Sequence, residues 1–247
     1  MALASTAPVL KLRRSRERGY EDFGWTDNWM TFAFGGYYDP KWVRFGPLRV
    51  IVENHIQPHT GFQSHSHRDV EIVTYVAAGT LTHTDSFGHS AGVTRGEMQH
   101  ISAGPGMVHS EENLQDEVEH NLQIWLVPGR RGTLFAYHQL LFTPEERRGR
   151  FRLYCSPDGR DASMPMHCDV CISAGLFSPG DQAEHALDAG RGAWVQMVHG
   201  RLRVAGVTLE EGDGLGITHA DRLAFDFDAE SEVLLLDLRM DAPLIWT

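Results

Sequence analysis

Histidine is crowded into one part of this chain. Of its 14 histidines, nine lie between His55 and His120. Two pairs share one spacing: His65 with His67, and His109 with Glu111. In an extended strand, residues two apart project from the same face. Each pair therefore aims two donor groups in one direction, and two such pairs on neighbouring strands of a barrel can converge inside it. A lone strand histidine is more often a hydrogen-bonded core residue, but a matched double pair is the pattern of a metal site. Three imidazoles and one carboxylate suit Fe(II), Mn, Co, Ni, Cu or Zn, and coordination positions left open admit water, O2 or a substrate. Spacing does not choose the carboxylate. Glu71 has the right parity beyond His67 if the strand runs straight through Asp69, and Glu111 has it beyond His109.

The other chemistry-bearing residues give weaker signals. Cys155, Cys168 and Cys171 are too few for a disulfide framework. Cys168 and Cys171 have CxxC spacing, but no second CxxC exists and Val170 and Ile172 read as strand, so structural cysteines are expected. The net charge of −11 repels polyanions. The basic cluster Lys11, Arg13, Arg14, Arg16 and Arg18 is read as a solvated face, and direct nucleic-acid binding is not expected. No run approaches the length of a membrane-spanning helix, and the mildly apolar start precedes its basic residues, the reverse of a secretory signal. A cytoplasmic protein is expected, without membrane attachment.

The elements that must position the histidines are short strands. Leu48–Val52, Glu71–Val76, Leu122–Val127, Trp194–Val198, Leu202–Ala205 and Val233–Leu238 are β-branched or apolar runs between turn signals. Many short strands with 25 glycines and 11 prolines as punctuation argue for an all-β sandwich or barrel of the jelly-roll type. The chain also repeats itself. Ile72 to Gly79 is echoed by Val195 to Gly200, and a Gly-acid pair follows each, Gly96-Glu97 and Gly212-Asp213. Tandem barrels are expected, with a division at residues 1–142 and 143–247 near the polar stretch Thr143–Arg150. Where the first copy has His65, His67 and His109, the second has Ala186, Asp188 and Phe225. The second copy has the scaffold without the ligands.

The run from Gly61 through His65, His67, Arg68, Glu71 and Tyr75 to Gly79 resembles the first cupin motif, and Gly96 through Gly104, Gly106, His109, Glu111 and Asn113 resembles the second. With His83-Thr84-Asp85-Ser86, Gln99, Gly24-Trp25 and Tyr37-Tyr38-Asp39-Pro40, the wording is similar to that of the pirin family over nearly the whole chain. The resemblance implies a bicupin, two tandem jelly-roll barrels, the first binding metal and the second lacking ligands. It implies one divalent ion, Fe(II) foremost, held by His65, His67, His109 and Glu111, with Glu71 outside the ligand set. Shorter bacterial pirin-like proteins include quercetin 2,3-dioxygenases. The expected activity is therefore O2-dependent cleavage of a flavonol-like ring, with Glu111 as the catalytic base and Phe62, Met98 and Met107 as candidate pocket walls. The competing expectation is a non-enzymatic metal-binding regulator acting through a protein partner; other metal-dependent cupin chemistry is a third. An open pocket beside the metal ligands discriminates the first two. His100 and Pro105 depart from the family pattern, and His100 bears on pocket polarity.

Overall fold

The computed structural model describes residues 7–246. The first half of the chain forms β1 (Val9–Arg13), β2 (Gly19–Asp22), β3 (Thr26–Met30), β4 (Leu48–Ile56), β5 (Thr60–His67), β6 (Glu71–Ala78), β7 (Thr80–Asp85), β8 (Ser90–Thr94), β9 (Glu97–Ser102), β10 (Met107–Asn113), β11 (Glu119–Leu126) and β12 (Ala136–Leu141). A single helical turn, α1 (Pro144–Arg147), follows. Then come β13 (Arg150–Ser156), β14 (Met164–Pro165), β15 (Val170–Phe177), β16 (Gln182–Ala186), β17 (Arg191–His199), β18 (Arg201–Val204), β19 (Val207–Glu210), β20 (Gly214–Thr218), β21 (Arg222–Phe227) and β22 (Ser231–Arg239).

These strands build two units, each a seven-stranded sheet facing a four-stranded one. The first pairs the sheet β12-β9-β6-β11-β4-β3-β2 with β5-β10-β7-β8. The second pairs β1-β20-β17-β22-β15-β13-β14 with β16-β21-β18-β19. The fold is all-β with two tandem units, as the internal echo implied, and is the bicupin arrangement that the family resemblance implied. One strand crosses over: β1, at the start of the chain, pairs with β20 of the second unit, Val9 opposite Thr218 through Arg13 opposite Gly214.

The two large sheets pack back to back, which explains why their central strands read as continuous apolar runs rather than alternating ones. In β6, Val73 and Tyr75 join Trp194, Leu234, Leu236 and Leu238 in the core between units, while Ile72 and Val76 turn into the first barrel. Burying both faces of one strand removes several large side chains from water, each contributing about 1.5–3 kcal/mol. The second barrel is filled. Phe177, Phe225, Phe227, Met197 and Leu202 occupy its interior, with the Phe177 and Phe227 rings stacked 3.8 Å apart. Phe225, aligned with His109, is one of the residues that closes the space a site would need.

Polar contacts pin the units together. Thr143 caps α1, its Oγ1 accepting from the Glu146 N–H. That turn buries Arg147, whose guanidinium donates to Tyr75 Oη and Glu232. The early basic cluster is not the solvated face expected, because three of its members are tied down: Arg14 pairs with Asp213 beside the β1–β20 ladder, Arg18 with Glu53, and Arg13, on β1, donates to Tyr37 of the first unit.

Candidate metal centre

β5 and β10 are antiparallel neighbours, with His65 directly opposite His109 and His67 opposite Met107. Close approach of the two strands is possible because Gly61 carries no side chain; a Cβ there would collide with the Glu111 carbonyl and Glu112 Cα. The same-face spacing then does what the sequence predicted. One donor nitrogen from each of His65, His67 and His109 lies within 4.8 Å of the others. Ring centroids are 4.9 Å apart for His65–His67, 4.4 Å for His65–His109 and 4.8 Å for His67–His109.

The protonation chemistry fits a cation. The Nε2 atoms of His67 and His109 are buried with no hydrogen-bond partner, a costly state for polar atoms unless a further group satisfies them. Burial, reinforced by the neighbouring imidazoles, lowers both pKa values to about 3, so these rings are neutral with free lone pairs. The His65 Nδ1 lies 2.7 Å from the Gln63 carbonyl, the contact that fixes a ligating histidine's tautomer and turns Nε2 inward.

Glu111 sits at the back of this cluster, in a second group with His83 and His109 whose donor atoms also lie within 4.8 Å of one another. A register irregularity between His109 and Glu111 separates it from the β5 histidines. Burial raises its pKa, while Gln123 opposes the rise by donating from Nε2 to both carboxylate oxygens, at 3.0 and 2.7 Å. Trp125 Nε1 donates to Gln123 Oε1 at 2.9 Å, which orients the amide. His83, fully buried, places Nδ1 3.4 Å from His109 Nδ1 and Nε2 3.3 Å from Asp85. Residue types alone gave His83 and Gln123 no role. The available signal was slight. Gln123 alternates with Trp125 along a strand already read from the sequence, whereas β7, which carries His83 and Asp85, is not among the strands read, and His83 stands out only in the family resemblance.

Glu71 is not at this site. The straight strand that would have carried it there ends at His67, because Asp69 has a φ of 52° and its N–H donates to the Gly104 carbonyl. The chain enters the opposite sheet, where Glu71 Oε2 meets His100 Nε2 at 2.7 Å and Oε1 accepts from Ser102 Oγ. Burial works to raise the Glu71 pKa, but these hydrogen bonds outweigh it and the net shift is downward. His100 is thus the buried partner of Glu71, remote from the imidazole cluster. Cys155, Cys168 and Cys171 are free and buried, and burial raises all three thiol pKa values, so none is a ready thiolate.

A cavity of about 750 Å³ opens beside the imidazoles. Trp25, Phe34, Phe62 and Trp125 give it aromatic walls; Met98 and Met107, expected there, belong instead to apolar cores. Its polar lining includes Asn28, Asn54 and Gln123, and Asn121 lies behind it in strand register. Asn28, Asn54 and Asn121 lie opposite one another on β3, β4 and β11. Asn54 Nδ2 donates to Asn121 Oδ1, whose own amide donates to Glu119, and Asn54 Oδ1 is left without a partner.

The sequence matches the family profile described as Pirin over residues 10–126, and that of a quercetinase C-terminal cupin domain over residues 153–238. It is 39% identical to a quercetin 2,3-dioxygenase of Escherichia coli, over 93% of this chain and 99% of that protein. The chain belongs to the pirin family. A pirin-like protein of Caulobacter vibrioides is 33% identical over 89% of this pirin and 95% of its own length. Among solved structures, the E. coli pirin YhhW in complex with nickel(II) superposes with a TM-score of 0.89 at 39% identity, covering 96% of this chain and all of that one. A divalent metal therefore suits this pirin on two grounds: the orphaned imidazole nitrogens and a metal-bound relative.

Proposed function

We propose that this pirin is a metal-dependent dioxygenase of the quercetin 2,3-dioxygenase type, holding its ion with His65, His67, His109 and Glu111. The observation that carries the reading is the conjunction of neutral, unpartnered imidazole nitrogens with an open, aromatic-walled cavity. A regulator that works through its outer surface needs no such cavity, so the enzymatic reading stands ahead of it. Fe(II) is the expected resident metal, and Ni(II), which the E. coli relative binds, meets the same donor set. When bound, the ion supplies Lewis-acid and templating chemistry for an electron-rich substrate and O2.

The chain's own groups do the rest. Trp25, Phe34, Phe62 and Trp125 clamp a flat aromatic ring and exclude water. Glu111 accepts the proton of the substrate's enolic hydroxyl, and Gln123 holds that carboxylate in place through both oxygens. Asn28 and Asn54 offer hydrogen bonds to ring hydroxyls in the cavity. Addition of O2 with ring opening then leaves a depside ester and releases carbon monoxide. Residues 1–142 would carry this chemistry, and residues 143–247, whose barrel is filled, would brace it.

The test is anaerobic loading with Fe(II) or Ni(II), admission of O2 with quercetin, and detection of carbon monoxide. Metal-dependent release that disappears in Glu111→Ala is the expected result. No release from fully loaded protein would overturn the proposed activity and move attention to a protein partner.

A further inference from the structure

A second set of nitrogen and carboxylate donors lies on the opposite face of the strands that wall the cavity. Alternation sends Asn54 inward from β4 and puts Glu53 and His55 on the other side. On β11, His120 is the register partner of His55, and their rings meet edge to face with centroids 4.4 Å apart. Donor atoms of Glu53, His55 and His120 all lie within 4.8 Å of one another. They share no residue with the candidate metal centre described above.

Three features suit this cluster to a cation. Arg18 engages Glu53 Oε2, which fixes the carboxylate and leaves Oε1 toward the imidazoles, 2.8 Å from His120 Nε2. His55 makes no side-chain hydrogen bond among the described residues; Trp29 packs edge-on against its ring at 4.9 Å and restricts its rotation. Asp27 lies across from His55 on β3 and adds a negative charge that offsets Arg18. Both imidazoles are partly exposed, so an ion has a path in.

We propose that Glu53, His55 and His120 form an auxiliary site for a borderline divalent cation of the Zn(II), Ni(II) or Cu(II) class. Two imidazoles and one carboxylate oxygen select such ions over Mg(II) or Ca(II), which prefer all-oxygen shells. The ion takes the place of the direct His120–Glu53 contact, and water fills the remaining positions. Occupancy crosslinks β4 to β11 behind Asn54 and Gln123. A preparation exposed to excess Ni(II) or Zn(II) then carries two ions per chain.

The experiment uses the full chain with the first centre removed by the double substitution His65→Ala and His109→Ala. Titration with Zn(II), followed by calorimetry and elemental analysis after desalting, is expected to give one equivalent bound with micromolar affinity. Adding His55→Ala, at a partly exposed position with no side-chain hydrogen bond, should remove that equivalent, and Glu53→Gln should weaken it at least tenfold. Circular dichroism of each variant confirms folding, and His120→Ala serves as an independent second deletion. Failure of the double variant to bind Zn(II), or undiminished binding after both His55→Ala and His120→Ala, overturns the proposal.

Discussion

Glu119 is a buried carboxyl of the first barrel that lacks a charged partner, and its replacement should change how stability depends on pH. It lies at the end of the Asn54–Asn121 chain, buried, with Oε2 accepting from Asn121 and Oε1 unpartnered. Burial raises its pKa from 4.5 to about 8; the Asn121 hydrogen bond opposes the rise and the negative charge of Glu111 adds to it. An acid with a raised folded pKa is held neutral by the fold. Its contribution to stability is fully present below the unfolded value and is lost as pH rises toward about 8. At about 1.4 kcal/mol for each unit between those limits, the loss between about pH 6 and pH 9 comes to roughly 3 kcal/mol. For a chain of this size that is roughly 6–12 °C in melting temperature. Glu119→Gln keeps an oxygen to accept from Asn121 and cannot ionise, so it should lack this slope. The assay is a pair of thermal melts across that pH range at identical metal loading, read as wild type minus variant so that all other titrations cancel. A difference that stays flat with pH would refute the argument that burial, rather than an unseen partner, governs this carboxyl.

The remaining predictions concern the centre and the joint between units. His65→Ala and His109→Ala should each abolish stoichiometric Fe(II) or Ni(II) at the first centre, measured by elemental analysis in a His55→Ala background; full retention in either would remove that residue from the ligand set. Gln123→Leu deletes both hydrogen bonds to Glu111 and strands the Trp125 N–H. It should cut kcat/KM by about 10–100-fold and move the acidic limb of the pH profile upward, because the lost donors were holding the Glu111 pKa down. Glu232→Ala leaves Arg147 buried without its carboxylate and should cost about 3–5 kcal/mol in urea unfolding, with the metal content of folded protein unchanged.

What the sequence disclosed and what it withheld divide along a physical line. Period-two alternation is local, so it put His65 and His67 on one face, while the central strands were marked by their continuous apolar runs. The internal echo was equally legible, and Phe225 does fill the second barrel, but the other two positions read by counting from Gly200 were wrong. Ala183 faces Phe225 as His65 faces His109, and His185 faces Leu223 as His67 faces Met107, so Ala183 and His185, not the exposed Ala186 and Asp188, are the structural counterparts. Parity fails where the backbone leaves the strand, and no residue type announced that Asp69 would adopt a left-handed conformation. Asp69 earns that turn through contacts far away in sequence, its carboxylate accepting from the Gly132 N–H and from Arg131. One positive φ therefore decides which of two carboxylates faces the imidazoles: Glu111 remains behind His109, and Glu71 is carried into the opposite sheet with His100. The same reasoning explains why Gln123 escaped notice. Its strand was evident, but its grip on Glu111 exists only because β10 and β11 belong to facing sheets of one barrel, a relation that no spacing along the chain encodes.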